Sequence, residues 1–391
     1  MSIEEIENKV VQKINDFDKT KFRLNYIEES MESSQLTNYL NEQGAKPFDL
    51  SQNPLIRVTL IRQAENSYIL FLSVHHIISD GWSMNVIFND LFDIYKELKT
   101  HNDLSMLKTI ESNYGEYCEW LTSKVESSVF SESKEFWLNK LTQMINPTTI
   151  PYDDEVRNPG SGNIVFVLES DINEKVQAVC RKYSVTEYHI YLSVFMMLLQ
   201  KYTPNSRVMM GSTSGIREQQ EFRSIIGCLI SVLNLSIDII PTDTFVDLVE
   251  KVKNEVILAL KHQYVDTDVL SKELNLNQTP KYLVGFTYHF ENYIQSVSYE
   301  NFKVEQLNTS PNDAKVDLWF NIHGSSTSVQ IDVEYNNKKY NIQTINKFVE
   351  RYNHLLDQVL LDSETMIKDY VLTSEIKQLC AREIETFEFG F

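Results

Sequence analysis

The chain has 391 residues, 42% of them hydrophobic, with 20 Tyr and 20 Phe as large packing groups, enough to bury one or two sizeable cores. A net charge of −19 without any basic stripe argues against nucleic acid as a partner. With 11 glycines, neither a Gly-x-Gly-x-x-Gly loop nor a Gly-Lys-Ser/Thr turn is present, so nucleotide chemistry has no support. Residues 10–14 and 22–26 read as short strands, and a helix is expected over about residues 34–43. Lys46-Pro47-Phe48-Asp49-Leu50 and Pro54-Leu55-Ile56-Arg57 form a turn leading into strands at 56–61 and 68–74, a hairpin around Glu65-Asn66. The second strand ends at Val74-His75-His76-Ile77-Ile78-Ser79-Asp80-Gly81-Trp82-Ser83. From Met84 the pattern turns helical, with Ile87, Phe88, Leu91, Ile94, Tyr95 and Leu98 on one face.

A histidine at a strand end, four residues before an Asp-Gly turn that opens a helix, suits acyl transfer. Its imidazole handles a proton near neutral pH, and turn amides can face a developing oxyanion. The plainer interpretation is a packed histidine with Asp80 as a helix N-cap.

Further on, Asn113 to Trp120 is a helix whose aromatics three apart signal core packing. Residues 146–163, with Pro147, Pro151, Pro159, Gly160 and Gly162, make the best linker. Helices are expected at 171–183 and 186–202, the second apolar nearly all round and hence buried. Val208 to Gly211 reads as a strand ending in Ser212-Thr213-Ser214-Gly215-Ile216-Arg217. A strand at 329–335 and a helix at 345–361 close the pattern.

The histidine motif resembles the His-His-x-x-x-Asp-Gly-x-Ser signature of condensation domains from nonribosomal peptide synthetases, matched at His75, His76, Asp80, Gly81 and Ser83. The preceding Pro47-Phe48-Asp49-Leu50 and Pro54-Leu55 resemble a segment that leads into it. Tyr114, Glu116, Tyr117 and Trp120 resemble the family's aromatic helix, with Glu116 replacing Asp. Gly215 and Arg217, then Ile226-Gly227-Cys228-Leu229-Ile230-Ser231-Val232, then His262-Gln263, follow in the family's order; Tyr264-Val265-Asp266-Thr267-Asp268 keeps the next motif only loosely. Lys315-Val316-Asp317-Leu318 resembles a closing element.

The resemblance implies an α/β fold of two chloramphenicol-acetyltransferase-like lobes in a V around a central tunnel, with lobes at 1–145 and 164–391 and the linker at 146–163. It implies amide formation between a carrier-bound acyl or aminoacyl thioester and a carrier-bound amine. A stand-alone acyltransferase and a silent docking platform are the alternatives. His76 is expected at the reaction centre, His75 in support, Asp80 in a structural ion pair, Gly81 at the oxyanion, and Ser83 as a helix cap. Arg217, Ser231, His262 and Gln263 are candidates for the tunnel lining, with bracing of the two lobes the alternative for Arg217 and a packed polar pair the alternative for His262 and Gln263.

No resident cofactor is implied, only the 4'-phosphopantetheine arms of partner carrier proteins, with an adenylation domain or other modules nearby. The family's opening segment, with an Arg-His-Glu-x-Leu-Arg motif and an arginine that meets the motif Asp, finds no match. The N-terminal lobe is therefore expected to start late and to leave Asp80 without its cation. Cys118, Cys180, Cys228 and Cys380 form no Cys-x-x-Cys and fit a reducing cytoplasm rather than structural zinc. The start is acidic, without a secretory apolar region, and the most apolar stretch, 225–240, is too short and polar to cross a bilayer.

Overall fold

The computed structural model describes residues 1–16, 18, 21–103, 112–125, 128–142, 147–154, 160–265, 282–290, 296–299, 302–305, 314, 316–325 and 328–373. Asp266 to Asp268, Lys315, Cys380 and part of the expected linker lie outside them. The fold is mixed α/β and divides into two compact units. Unit 1 comprises Met1–Thr122, Gly215–Ile230 and Tyr293–Asn312; unit 2 comprises Ser123–Ser214, Ser231–Asn292 and Asp313–Phe391. Both are discontinuous, whereas the expected lobes were contiguous. Residues 215–230 explain much of the difference, because they leave a unit 2 strand and are held inside unit 1 by the side chains described below.

Unit 1 begins with a hairpin of β1 (Ser2–Ile6) and β2 (Lys9–Lys13). Glu7 and Asn8 between them both have positive φ, 52° and 62°, the conformation that matches a two-residue turn to strand twist. The three-stranded sheet follows the expected hairpin: β4 (Ile56–Ala64) pairs antiparallel with β5 (Ser67–Val74), and β3 (Leu24–Ile27) runs parallel to β4. Three helices accompany these strands, α1 (Ser33–Ala45), α2 (Gly81–Thr100) and α3 (Tyr114–Val125). α2 starts three residues before the apolar pattern does, because Asp80 caps it. Its apolar face is not the sealed core surface its periodicity suggests, since Leu91, Tyr95 and Leu98 are exposed and only Ser83 of the helix is buried.

Unit 2 holds the larger core. After α4 (Ser128–Leu141) its strands are β6 (Ser161–Val167), β7 (Arg207–Gly215, whose last residue belongs to unit 1), β8 (Ile230–Asp238, whose first residue belongs to unit 1) and β9 (Val284–Phe290). A short hairpin of β10 (Ser296–Tyr299) and β11 (Phe302–Glu305) falls in unit 1. β12 (Leu318–Gly324) and β13 (Val329–Asn336) complete a six-stranded sheet in the order β6-β13-β12-β9-β7-β8. Strict alternation turns Leu318, Phe320 and Ile322 of β12, and Val329, Ile331, Val333 and Tyr335 of β13, toward the core.

The helices are α5 (Ile172–Tyr183), α6 (Glu187–Lys201), α7 (Phe245–Lys261) and α8 (Ile342–Leu361). α6 is buried on every side from Ile190 to Leu199, as its all-round apolar sequence requires. Phe195 of α6 meets Phe286 of β9, Phe320 of β12 and Phe348 of α8, with ring centroids 5.5, 4.9 and 6.0 Å apart.

On the other face of β13, burial pushes the Asp332 carboxyl up to about 6 from 3.8, with Glu334 adding to the rise and Asn163 opposing it. Below pH 3.8 this acid is protonated whether the chain is folded or not. As pH rises through the window up to about 6 the unfolded chain ionises first, so stability falls there. Asp332→Asn should therefore be more stable than the parent at pH 7.5 by roughly 2–3 kcal/mol, and equal to it near pH 3.5. Urea melts at the two pH values would show this, and an equal difference at both would contradict it.

Candidate functional site

The site is built where β5 stops. His75 follows the strand in extended conformation, its amide bonded to Leu55 O at 3.0 Å and its Nδ1 accepting from the Ile77 amide at 3.0 Å. That contact caps a single 3₁₀ turn, His76–Ile78, and Phe48 packs edge-on to the His75 ring at 5.9 Å. His75 is thus a local brace, acting by capping the turn. His76 is exposed, and its Nδ1 lies 3.8 Å from the Cys228 Sγ.

Asp80 closes the turn and caps α2. Its Oδ1 accepts from the Ser83 amide at 2.7 Å, and its Oδ2 from the Leu229 amide at 3.0 Å. The Arg217 Nη2 donates to both carboxylate oxygens at 2.9 Å, while Nη1 donates to Phe222 O at 2.8 Å and Ile225 O at 2.7 Å. The pair is dry, with side chains 6% (Arg217) and 0% (Asp80) exposed. An Asp80 without a cation was the expectation; Arg217 supplies one, and this corrects that expectation. Sequence could not reveal the match, because the two residues are 137 positions apart and neither carries a spacing signal for the other.

Ser83 completes the cluster. Its Oγ lies 2.7 Å from Asp80 Oδ1 and 2.8 Å from Gly227 O, either of which can take its proton, and it accepts from the Gly227 amide at 3.0 Å. It therefore does more than cap a helix, because it ties α2 to the 216–229 segment. The loop is closed at its base by Ile216 N to Leu229 O, 2.7 Å, and anchored by Phe222 against Tyr117 and Trp120 of α3 at 5.5 and 5.2 Å. The α3 aromatics are packing residues, as expected. Trp82 is exposed and donates through Nε1 to Arg223 O at 2.7 Å.

Gly227 leaves no room for a side chain. A Cβ there would meet the Tyr114 ring at 2.3 Å, and that phenol, pushed up to about 12 mainly by burial, approaches Cys228 O at 3.5 Å. Gly227→Ala should cost about 1–3 kcal/mol by overpacking. Combining it with Tyr114→Leu should return part of that loss in a urea double-mutant cycle, and strictly additive values would argue against the clash.

Ser231, His262 and Gln263 belong to unit 2. His262 is buried, stacked on Phe136 at 4.3 Å, with Nδ1 2.8 Å from Ser133 Oγ and its carbonyl accepting from Trp137 Nε1 at 2.7 Å. Burial, with Lys261 adding, holds its pKa below the usual histidine range. Gln263 accepts from Ser214 Oγ at 2.9 Å through its side chain and from Ser231 Oγ at 3.1 Å through its carbonyl. These contacts make a packed polar chain, and none of them involves the His76–Asp80 cluster. Among the described residues no group of three or more His, Cys, Asp or Glu could hold a metal ion, and no helix is long and apolar enough to cross a membrane.

What the cluster can do follows from its parts. A buried, fully bonded carboxylate fixes the turn, an exposed imidazole stands on it, and the Gly81 amide belongs to the first turn of α2, where helix amides face outward and favour negative charge. Comparison with known proteins gives the setting. The condensation domain family model matches residues 1–379. Bacitracin synthase 1 of Bacillus licheniformis is 24% identical over 365 residues, which make up 90% of this chain and 7% of that protein. The X-domain from teicoplanin biosynthesis superposes with a TM-score of 0.80 at 20% identity, covering 95% of this chain and 85% of that one. The first condensation domain of the calcium-dependent antibiotic synthetase, solved with a substrate analogue, gives 0.74 at 17% identity, covering 90% and 78%. At such identities the structural likeness is one of fold.

Proposed function

The chain belongs to the condensation-domain family, and from that premise we propose that it joins a donor acyl or aminoacyl group, held as a thioester on one carrier protein, to the amine of an acceptor held on a second. The observation that carries this reading is the exposed His76 imidazole on a turn locked by the buried Asp80–Arg217–Ser83 cluster. A thioester is already activated, so the requirements are an unprotonated amine, alignment, and a place for the oxyanion. His76 handles the proton released as amine becomes amide, and the Gly81 amide at the start of α2 faces the oxyanion. Asp80 and Ser83 hold the geometry with Arg217, and His75 braces the turn.

Because the chain spans 7% of the length of the bacitracin synthase it matches, the partners are proposed with the activity. They are carrier domains bearing 4'-phosphopantetheine, with adenylation domains and other synthetase modules alongside.

The test is amide formation by the full chain from a loaded donor carrier and a loaded acceptor carrier, followed by mass spectrometry, with acyl-CoA as the competing donor. Product from the carrier pair supports the reading. Product from acyl-CoA alone would assign a stand-alone acyltransferase instead, and no product from either would favour a docking role.

A further inference from the structure

The six-stranded sheet ends at β8, and among the described residues no further strand fills the space between that edge, α4 and α7. A cavity of about 320 Å³ remains there. Asn139 and Lys140 of α4, Glu255 of α7, Arg207 of β7, and Ser236 and Asp238 of β8 supply its polar walls, and the Phe136 ring of α4 supplies an apolar one. All of them belong to unit 2, whereas the His76–Asp80 cluster belongs to unit 1.

Deep in the cavity Lys140 and Glu255 form a buried ion pair, with side chains 13% and 14% exposed. Burial pulls the Lys140 ammonium below its usual range, and Glu255 opposes the shift. Glu255 Oε1 takes both that ammonium and the Ser236 amide, the latter at 2.7 Å. At the rim Arg207 holds the Asp238 carboxylate through Nε at 3.0 Å and Nη2 at 2.7 Å. Among the described residues, Glu255 Oε2, Arg207 Nη1, the Ser236 hydroxyl and the Asn139 side-chain amide take part in no hydrogen bond. A buried ion pair contributes little net stability. Here two pairs leave hydrogen-bonding capacity of both signs beside an open volume.

We propose that this cavity binds a free α-amino acid with an apolar side chain. The lining charges cancel, Lys140 and Arg207 against Asp238 and Glu255, so a zwitterion is favoured over a net anion or a net cation. Its carboxylate goes to Arg207 Nη1 and the remaining protons of Lys140 Nζ, and its ammonium to Glu255 Oε2 with the Ser236 and Asn139 oxygens. Its side chain packs on the Phe136 ring. The volume is at the lower end of the range for small-molecule sites, which suits a single amino acid rather than a peptide or a nucleotide. The site goes beyond the condensation reading and does not rest on it.

Isothermal titration calorimetry of the full chain with L-leucine and L-phenylalanine is the test. Saturable one-to-one binding is expected for at least one of them. Its N-acetyl derivative and its amide, each short of one charge, should bind at least about 10-fold more weakly. Arg207→Gln alters only an exposed pair, so it should fold like the parent and weaken binding at least about 10-fold. Glu255→Gln keeps an acceptor for the Ser236 amide and should weaken the amino acid similarly. If it fails to fold by circular dichroism, Arg207→Gln and the two blocked ligands decide alone. No saturable binding of either amino acid up to about 10 mM would overturn the proposal. So would parental affinity for the N-acetyl derivative or the amide, or unchanged affinity in either folded variant. None of these outcomes bears on condensation, which loaded carriers decide.

Discussion

His76→Ala should lower amide formation from loaded carriers at least ~10²-fold, the scale of a well-placed acid–base group. The side chain is exposed, so its removal leaves no buried cavity, and the melting temperature should stay close to that of the parent. His75→Ala should show the opposite pattern. It removes the Nδ1 acceptor for the Ile77 amide and the edge contact with Phe48, so stability falls by about 1 kcal/mol and activity follows stability. Single-turnover assays beside thermal melts separate the two histidines. Parental turnover by His76→Ala would remove it from the reaction centre.

The larger effect on stability belongs to Arg217. Arg217→Ala leaves a fully buried Asp80 carboxylate without its cation, a change on the scale of about 3–5 kcal/mol, and also strips the donors from Phe222 O and Ile225 O. Lysine should restore little, because one ammonium cannot span both carboxylate oxygens and two carbonyls as the guanidinium does. Asp80→Asn keeps the shape and removes the charge, so melting temperature and activity should fall together. Arg217→Met with Asp80→Leu should lose less than the sum of the single changes, since neither charge is then stranded. Urea unfolding gives the cycle. Parental stability in Arg217→Ala would mean that the pair is not holding the turn, and lost activity in a fully stable Asp80→Asn would assign Asp80 a direct part in the chemistry.

The sequence made legible what lies close together along the chain. The β4–β5 hairpin, the strand-to-helix turn at His75 to Ser83 and the buried α6 all announce themselves through local spacing, and the structure has them. α7 is legible in hindsight, with Phe245, Leu248, Val249, Val252, Val256 and Ala259 on one buried face and a Thr244–Asp247 capping box, although it was not among the expected helices. β1 is not. Its two apolar residues, Ile3 and Ile6, do not alternate, and its turn lacks the usual glycine. The candidate site was half legible: His76, Asp80 and Arg217 were named from motifs, and the pairing of Arg217 with Asp80 came only from the structure. An ion pair between distant segments leaves no period in a sequence.

The Asp80–Arg217 pairing also sets an order of events. The clamp on Asp80 beneath His76 needs residues from beyond position 216, including the Leu229 amide that meets the carboxylate. A chain emerging from the ribosome can form the β4–β5 hairpin and cap α2 early, through contacts local in sequence. The turn itself cannot be locked until more than half of the 391 residues have been made. The proposed reaction centre is therefore among the late structures of unit 1, and a nascent chain that stops short of Leu229 carries both histidines without the clamp on Asp80.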